Sequence, residues 1–292
     1  MKKILNSLLV VALLVGLFFS GLYFNDIKSW ATSLFERGQI ADGDGDDNGG
    51  DTGGDIEINS ISFAEDDWSI IAKVSKEIAA GEENIWYEVG DEKDILIGEE
   101  IYTVHILGFN HDDLSDGTGK AGITIGMKHL LSQQHRLNPT MTNVGSWNQS
   151  EFRTTTLPSI LETLPSDLQS VVKAVDKQTA TDSQNTSLVT TSDKLFIFSE
   201  EEITGVNIYG SSGEGMKYEY WEQLDGGTFV PGYPPYRNYR IKNLSNGTGA
   251  TSNWWLRSPT KDHPFFSSFD TNGNFSAAGG HNTYGICFGF CV

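Results

Sequence analysis

The sequence predicts an α+β domain that follows an apolar segment and an acidic linker. Short strand patterns and short amphipathic helical patterns are mixed along the chain, and strand patterns crowd its carboxyl end. Residues 41–55 are almost wholly Gly, Asp, Asn and Thr, so they cannot bury apolar area and predict a disordered, flexible spacer. We therefore divide the 292 residues into a membrane segment at 1–25, a juxtamembrane segment and linker at 26–55, and one ectodomain at 56–292.

The first segment predicts a membrane anchor. Lys2 and Lys3 precede the apolar run 4–24, which has about the 20 residues that a helix needs to cross a bilayer. This pattern predicts a single-pass protein of the cell membrane with its carboxyl-terminal domain outside the cell. The alternative is a cleaved signal peptide, whose apolar core is usually nearer about 7–15 residues and which would leave the protein secreted.

The charge disfavours one class of partner, and the cysteine content disfavours a disulfide. With 39 acidic and 20 basic residues, the formal charge of −19 disfavours a nucleic-acid partner, because phosphate binding depends on clustered Lys and Arg. The chain has two cysteines, Cys287 and Cys291. Four residues apart on a strand they would lie roughly 13 Å from each other, beyond the limit of about 7 Å for a disulfide. They are predicted to be buried, reduced thiols.

The elements of the ectodomain follow from apolar spacing and capping residues. The first predicted helix follows Asp67 and ends near Gly81. Pro158 lies in the first turn of a later helix, and Ser199 caps a short one. The remaining predictions are strands at 86–89, 93–97, 100–109 and 194–198, and helices at 127–134, 157–161 and 166–172.

The carboxyl-terminal part predicts a rigid frame around a tight turn. Trp254, Trp255 and Leu256 form an apolar run that suits a central strand, and Pro259 ends it. Arg257 offers a guanidinium group to a carboxylate or a row of carbonyls. Residues 270–274 predict a hairpin turn, and the alternation of large apolar residues with glycine over 285–292 predicts a final strand inside a sheet.

These blocks resemble a bacterial domain family of unknown function with a C-type-lectin-like fold, found on Gram-positive surface and prophage proteins. Some of its relatives are variable proteins of diversity-generating retroelements. The resemblance covers roughly residues 66–292 and implies a C-type-lectin-like fold that acts as a rigid scaffold. Further blocks that carry it lie at 89–91, 106–114, 117–124, 147–153, 157–168 and 193–200. The residues that we assign to the structural framework are Trp147, Arg153, Trp254, Trp255, Arg257, Phe288 and Phe290.

The stretch 260–284 is predicted to be the binding surface. Aromatic rings supply contact area with few rotamers to freeze, and Ser, Asn and Gly adapt their hydrogen bonds, as in antibody binding loops. In the diversified relatives this stretch displays variable side chains. The predicted ligand-binding residues are Lys261, Asp262, His263, Phe265, Asn272, Asn274, Phe275, Ser276, His281, Asn282 and Tyr284. They predict a receptor or adhesin whose partner is a protein or glycan on another cell, a host or a phage.

Two other functions stay open, and no cofactor is predicted. A surface or virion protein could use the same stretch for assembly, and an enzyme related to the formylglycine-generating fold could use the two cysteines. The enzyme is disfavoured because no activating base lies near the cysteines in the sequence. His111, Asp112, Asp113 and Asp116 could ligate a metal but are interpreted as a polar turn. A calcium-loop pattern at 44–55 is interpreted as linker composition, so no metal and no catalytic residue is predicted.

Overall fold

The computed structural model of the chain describes residues 58–183, 186–225 and 238–292. The predicted membrane segment, the linker and its calcium-loop pattern lie outside these residues. Within the described ranges, no helix is long and apolar enough to cross a bilayer. The described residues belong to one compact unit that extends over 57–292.

The domain is α+β, as predicted, and its described sheets are antiparallel. The described helices are α1 (Trp68–Ala80), α2 (Ser146–Gln149), α3 (Leu157–Glu162), α4 (Ser166–Val171), α5 (Glu200–Thr204) and α6 (Glu219–Leu224), and a π-helical turn (Phe152–Thr156) runs into α3. The described strands are β1 (Glu92–Ile97), β2 (Glu100–Phe109), β3 (Ile123–Met127), β4 (Val175–Ala180), β5 (Leu188–Asp193), β6 (Leu195–Ile197), β7 (Trp254–Pro259), β8 (Phe265–Phe269), β9 (Phe275–Gly279) and β10 (Phe288–Cys291).

Helix α1 forms where its apolar spacing predicts it. Trp68, Ile71, Val74 and Ile78 lie on its buried face. The helix ends because Gly81 adopts a left-handed conformation with φ of 91°, which glycine tolerates without steric cost. Asp67 precedes the helix, but its side chain makes no capping hydrogen bond.

The main sheet has the strand order β1-β2-β3-β10-β6. Strand β10 is antiparallel to both β3 and β6, which confirms the prediction that the last strand lies inside a sheet. Gly289 pairs with Gly126 across β10 and β3. A Cβ added at Gly289 would lie 2.8 Å from Cζ of Phe198 and 2.9 Å from Cε2 of Phe196, so glycine is required for these rings to pack on the sheet.

Two smaller sheets complete the domain. Strands β4 and β5 form a hairpin, and β7, β8 and β9 form a three-stranded antiparallel sheet in that order. Every residue of β7 is buried, and Pro259 is its last residue, as predicted. The backbone N–H of Arg257 donates to the carbonyl of Phe198, 2.9 Å away, and this bond joins β7 to the segment that follows β6.

Two predicted elements are wrong. Residues 86–89 form a turn because the side chain of Asn84 accepts hydrogen bonds from the backbone of Trp86 and Tyr87. Residues 128–134 form no helix. Their backbone N–H groups instead pair with distant segments, as Leu130 does with the carbonyl of Asn243 at 2.9 Å. Long-range hydrogen bonds therefore outweigh the local helical pattern there.

Candidate binding surface

The predicted binding residues lie on and around the β7–β9 sheet, but at two ends of it. Phe265 pairs with Gly279 at one end, and Phe269 pairs with Phe275 at the other. Phe269 lies four positions after Phe265, which separates these ends by about 13 Å at strand spacing. The single surface predicted from the sequence is therefore divided.

One end gathers six of the predicted residues, and we call it the display end. Its two loops are the β7–β8 turn and the segment after β9. The His263 ring stacks on Phe265, with ring centroids 5.4 Å apart. Lys261, Asp262, His263 and His281 are exposed, whereas Phe265 and Asn282 are half-buried.

Two exposed apolar side chains that the sequence did not indicate border the display end. Met141 is 56% exposed and Val144 is 69% exposed. A Cβ added at Gly279 would lie 2.7 Å from Cγ of Met141 and 2.9 Å from Cε1 of His281, so these two side chains meet over Gly279. The display end is therefore built from three segments of the chain, and Met141 and Val144 lie more than a hundred residues before the other two segments.

Asn143 holds the β7–β8 turn in place. It is fully buried, and its Nδ2 donates to the carbonyls of Phe265 at 2.9 Å and His263 at 3.1 Å. The carbonyl of Thr260 lies 3.5 Å from the same nitrogen. One amide group thus fixes both sides of the turn that carries His263.

Replacing Asn143 with alanine is expected to loosen this turn. The substitution removes the amide that bridges these carbonyls, although the carbonyl of Phe265 keeps the N–H of Thr260 as a donor and that of His263 keeps the Thr260 hydroxyl. The free energy of unfolding should fall by about 1 kcal/mol. Hydrogen exchange should accelerate at 260–265 more than elsewhere in the domain. Val144→Ala is the matched control, because that side chain is exposed and its loss should leave exchange at the turn unchanged.

At the other end of the sheet, polar groups of the turn form hydrogen bonds with one another. Oδ1 of Asp270 accepts from the backbone N–H groups of Asn272 and Asn274, each at 2.8 Å, which confirms the predicted turn. Phe275 packs against Phe269, with centroids 5.1 Å apart. Asn272 is exposed, whereas Asn274, Phe275 and the strand residue Ser276 are half-buried.

Tyr284 belongs to the framework. Its ring stacks on Trp255, with centroids 4.5 Å apart, and its backbone pairs with that of His135. Trp254, Trp255, Phe288 and Phe290 are fully buried. The assigned framework residues of this part of the chain thus lie in the core.

Trp147 and Arg153 share one carboxylate. Nε1 of Trp147 donates to Oδ2 of Asp193 at 2.8 Å, and Nε of Arg153 donates to Oδ1 at 2.6 Å. Trp147 is fully buried and Arg153 is half-buried. The pair therefore anchors the segment around α2 to the end of β5, which agrees with a structural role.

Arg257 lies in a buried charge cluster formed by Asp112, Lys177, Glu202 and Arg257. Its guanidinium donates to both carboxylate oxygens of Glu202, with Nη2 2.8 Å from Oε1, and Nη1 donates to the carbonyl of Ile197 at 3.0 Å. These contacts confirm the predicted carboxylate and carbonyl acceptors. Burial disfavours ionisation of Glu202, but Arg257 and then Lys177 outweigh it and lower the pKa of that carboxyl.

Lys177 connects the two acids of the buried charge cluster. It forms an ion pair with Asp112, and its Nζ lies 3.1 Å from Oε1 of Glu202. Burial raises the pKa of Asp112, but the Lys177 charge prevails and holds it below the usual range of a carboxyl. A cavity of about 230 Å³ borders the cluster, and its other lining residues include His111, Glu214 and Met216.

The remaining residues of the predicted polar turn have separate roles. Asp113 pairs with Lys120 at 2.8 Å, and Asp116 accepts from the backbone N–H of Thr118 at 2.9 Å. Asp112 points instead into the buried charge cluster. In the described part of the chain, no group of three or more His, Cys, Asp and Glu residues is placed to hold a metal ion.

Both cysteines are buried, free thiols. Burial raises the pKa of Cys287, whose Sγ donates to the carbonyl of Met127 at 3.2 Å. Burial and the neighbouring charge of Asp112 raise the pKa of Cys291 well above its usual range. These surroundings favour the protonated thiols, as expected for core residues.

Comparison with known proteins identifies one family. Residues 121–292, more than half of the chain, match the model of a domain of unknown function, DUF6273. The matched region begins just before β3 and contains the whole β7–β9 sheet and the display end. No curated protein matches the chain, and no solved structure does. The chain belongs to the DUF6273 family.

Proposed function

We propose that the protein is a ligand-binding receptor or adhesin of the cell surface, with a C-type-lectin-like fold and its ligand held at the display end. The observation that carries the proposal is the exposed group of His263, His281 and Met141 around a turn fixed by the buried side chain of Asn143. A binding surface gains affinity when its contact groups are held in place before the ligand arrives.

The side chains of the display end suit recognition of a protein or a glycan. The His263–Phe265 stack offers a flat apolar face, while Lys261, Asp262 and Asn282 offer charges and hydrogen bonds around it. Met141 adds a flexible apolar contact. We propose that the protein binds its partner without a cofactor and without chemistry of its own, while the apolar run 4–24 anchors it in the membrane.

A binding experiment tests this function directly. Intact cells that carry the full chain would be applied to a glycan array and to panels of bacterial and host cells. The double variant His263→Ala/His281→Ala is expected to lose at least about tenfold in binding, the effect of removing contacts worth more than about 1 kcal/mol. Lys76→Ala on α1 is the control, because its side chain is exposed and lies in a different element.

Equal binding by the double variant and the wild type would reject the display end as the ligand site. No binding to any surface in these panels would count against the adhesin as well. The melting temperatures of the variants should agree with that of the wild type, since exposed substitutions usually change stability by less than about 0.5 kcal/mol.

Diversification is a separate part of the proposal and has its own test. Related copies of the gene from one bacterial population would be compared over residues 254–292. We expect differences to concentrate at 261–265 and 281–283, while the buried residues of β7 and β10 stay fixed. A uniform segment would instead indicate an adhesin with a fixed ligand or a structural role.

An assembly protein is the alternative function, and the exposed side chains of Met141 and Val144 favour it. Two copies that bury these groups against each other would associate with increasing concentration. Sedimentation of the full chain in detergent would then show a dimer that Val144→Asp converts to a monomer. A monomer at all concentrations would exclude this alternative.

A further inference from the structure

Three buried side chains from distant parts of the chain meet in one place. Lys177 lies on β4, Asp112 follows β2, and Tyr218 precedes α6. Lys177 is 1% exposed, Asp112 6% and Tyr218 0%. The Nζ of Lys177 is hydrogen-bonded to Oδ1 of Asp112 and lies 2.7 Å from the hydroxyl of Tyr218.

The Tyr218 hydroxyl touches both partners of this pair. It accepts from Lys177, and it lies 3.1 Å from each carboxylate oxygen of Asp112, to which it donates. The ring of Phe196 covers Nζ at 3.7 Å from the ring centroid. An amine, a carboxyl group and a proton-carrying hydroxyl are therefore held together in the core, beside the cavity that borders the cluster.

We propose that Lys177 and Asp112 condense to an intramolecular amide bond, with Tyr218 as the catalytic proton relay. This inference is independent of the function proposed for the display end. It assigns a covalent modification to the buried charge cluster.

The reaction balances without a further reactant. A proton passes from the Lys177 ammonium through the Tyr218 hydroxyl to Asp112, which gives a neutral amine and a neutral carboxylic acid. The nitrogen lone pair attacks Cγ of Asp112 and forms the C–N bond. A proton from the nitrogen then reaches one carboxyl oxygen through Tyr218, the C–O bond breaks, and one water molecule leaves.

The geometry favours the condensation. Burial disfavours both charges, but the ion pair outweighs burial, so the pKa of Asp112 is lowered and that of Lys177 is raised, and the neutral pair is a minor state that forms through the Tyr218 hydroxyl. Well-oriented groups of one molecule react with effective concentrations on the order of 10⁵–10⁸ M. The exposed pair of Lys120 and Asp113 lacks this advantage, because water solvates both charges there.

The charges of the cluster also balance after the reaction. The buried charge cluster contains two cations and two carboxylates. Condensation removes Lys177 and Asp112 as charges and leaves Arg257 paired with Glu202 through two hydrogen bonds. The new amide oxygen takes over an acceptor position beside Thr124, whose hydroxyl lies 2.7 Å from Oδ2 of Asp112.

Peptide mapping of the purified full chain tests the proposal. Trypsin would cut after Lys93 and Lys120 and so release Asp112 within residues 94–120. An acylated Lys177 resists trypsin, so this peptide should emerge joined to 174–194 and lighter than the two together by one water molecule. Separate peptides 94–120 and 174–177 in the folded, full-length protein would overturn the proposal.

Substitutions identify the atoms that react. Lys177→Arg keeps the positive charge but supplies no amine, and Asp112→Ala removes the carboxyl, so both should abolish the joined peptide. Asp112→Asn can still condense, with loss of ammonia, and should give the same product as the wild type.

Tyr218→Phe tests the proton relay. It keeps the ring and removes the hydroxyl, so the fraction of joined peptide should fall at least several-fold. An unchanged fraction would overturn the role of Tyr218 as relay. The surface pair Lys120 and Asp113 should stay unlinked in every sample.

Discussion

Replacement of Arg257 by alanine is expected to lower the free energy of unfolding by about 3–5 kcal/mol, the cost of removing one partner from a buried ion pair. Glu202 would keep its charge in the core but lose both hydrogen bonds from the guanidinium. The carbonyl of Ile197 would also lose its donor. Urea unfolding followed by tryptophan fluorescence measures this loss, because several tryptophans lie in the core.

A surface pair in the same chain supplies the control for Arg257. Arg136 and Glu151 lie 2.9 Å apart with half-exposed side chains, so Arg136→Ala should cost less than about 1 kcal/mol. A double variant, Arg257→Met with Glu202→Met, should lose less stability than Arg257→Ala because no unpaired carboxylate remains. A loss for Arg257→Ala similar to that for Arg136→Ala would contradict the role assigned to the cluster.

The sequence indicates what Arg257 binds but not which residue supplies it. A buried arginine that follows an apolar run within a strand needs an acceptor, and the capping box at Ser199 correctly places Glu202 on a short helix. Their meeting depends on how β7 packs against α5, which no local spacing encodes. Lys177 is harder to foresee, because a lysine in the polar sequence of β4 is normally predicted to be solvated.

Local sequence patterns also predict most of the exposed residues at the binding surface. Composition correctly marks the β7–β8 turn and the residues after β9 as polar and exposed. It cannot locate Met141 and Asn143, which reach the display end only through the tertiary fold. The helix predicted at 127–134 fails for a related reason, since the backbone N–H groups of Leu130 and Leu131 donate to carbonyls more than a hundred residues away.

His105 on β2 is expected to lower the stability of the domain when the pH drops below about 6.5. The side chain is 2% exposed, and neither ring nitrogen has a hydrogen-bond partner among the described residues. Burial lowers the pKa of His105 well below its usual range, and the nearby charges of Lys242, Lys128 and His129 lower it further. Glu92, which faces His105 across β1 and β2, does not reverse this shift.

The sign of the effect follows from proton uptake by the unfolded chain. Above about pH 6.5 the His105 ring is neutral in both the folded and the unfolded state, so it gives stability no dependence on pH. Below that pH the unfolded ring takes up a proton while the folded ring stays neutral, so stability falls by up to about 1.4 kcal/mol per pH unit. The loss due to His105 should reach about 2 kcal/mol near pH 5. Glu214 acts in the opposite direction, because burial raises its pKa to about 7 and the folded chain takes up a proton there as the pH falls.

Unfolding curves in urea at pH 7.5, 6.5, 5.5 and 5.0 measure this dependence for the wild type and for His105→Leu. Between pH 7.5 and 5.0 the wild type should lose about 2 kcal/mol more stability than the variant. The pH dependence that the variant keeps comes from Glu214, whose pKa burial raises to about 7, and from His129 and His135, whose pKa values burial lowers. Tyr220→Phe is the control, since it retains the ring that lies 4.2 Å from the His105 ring and should retain the slope. Parallel pH profiles of His105→Leu and the wild type would show that His105 does not contribute to the pH dependence of stability.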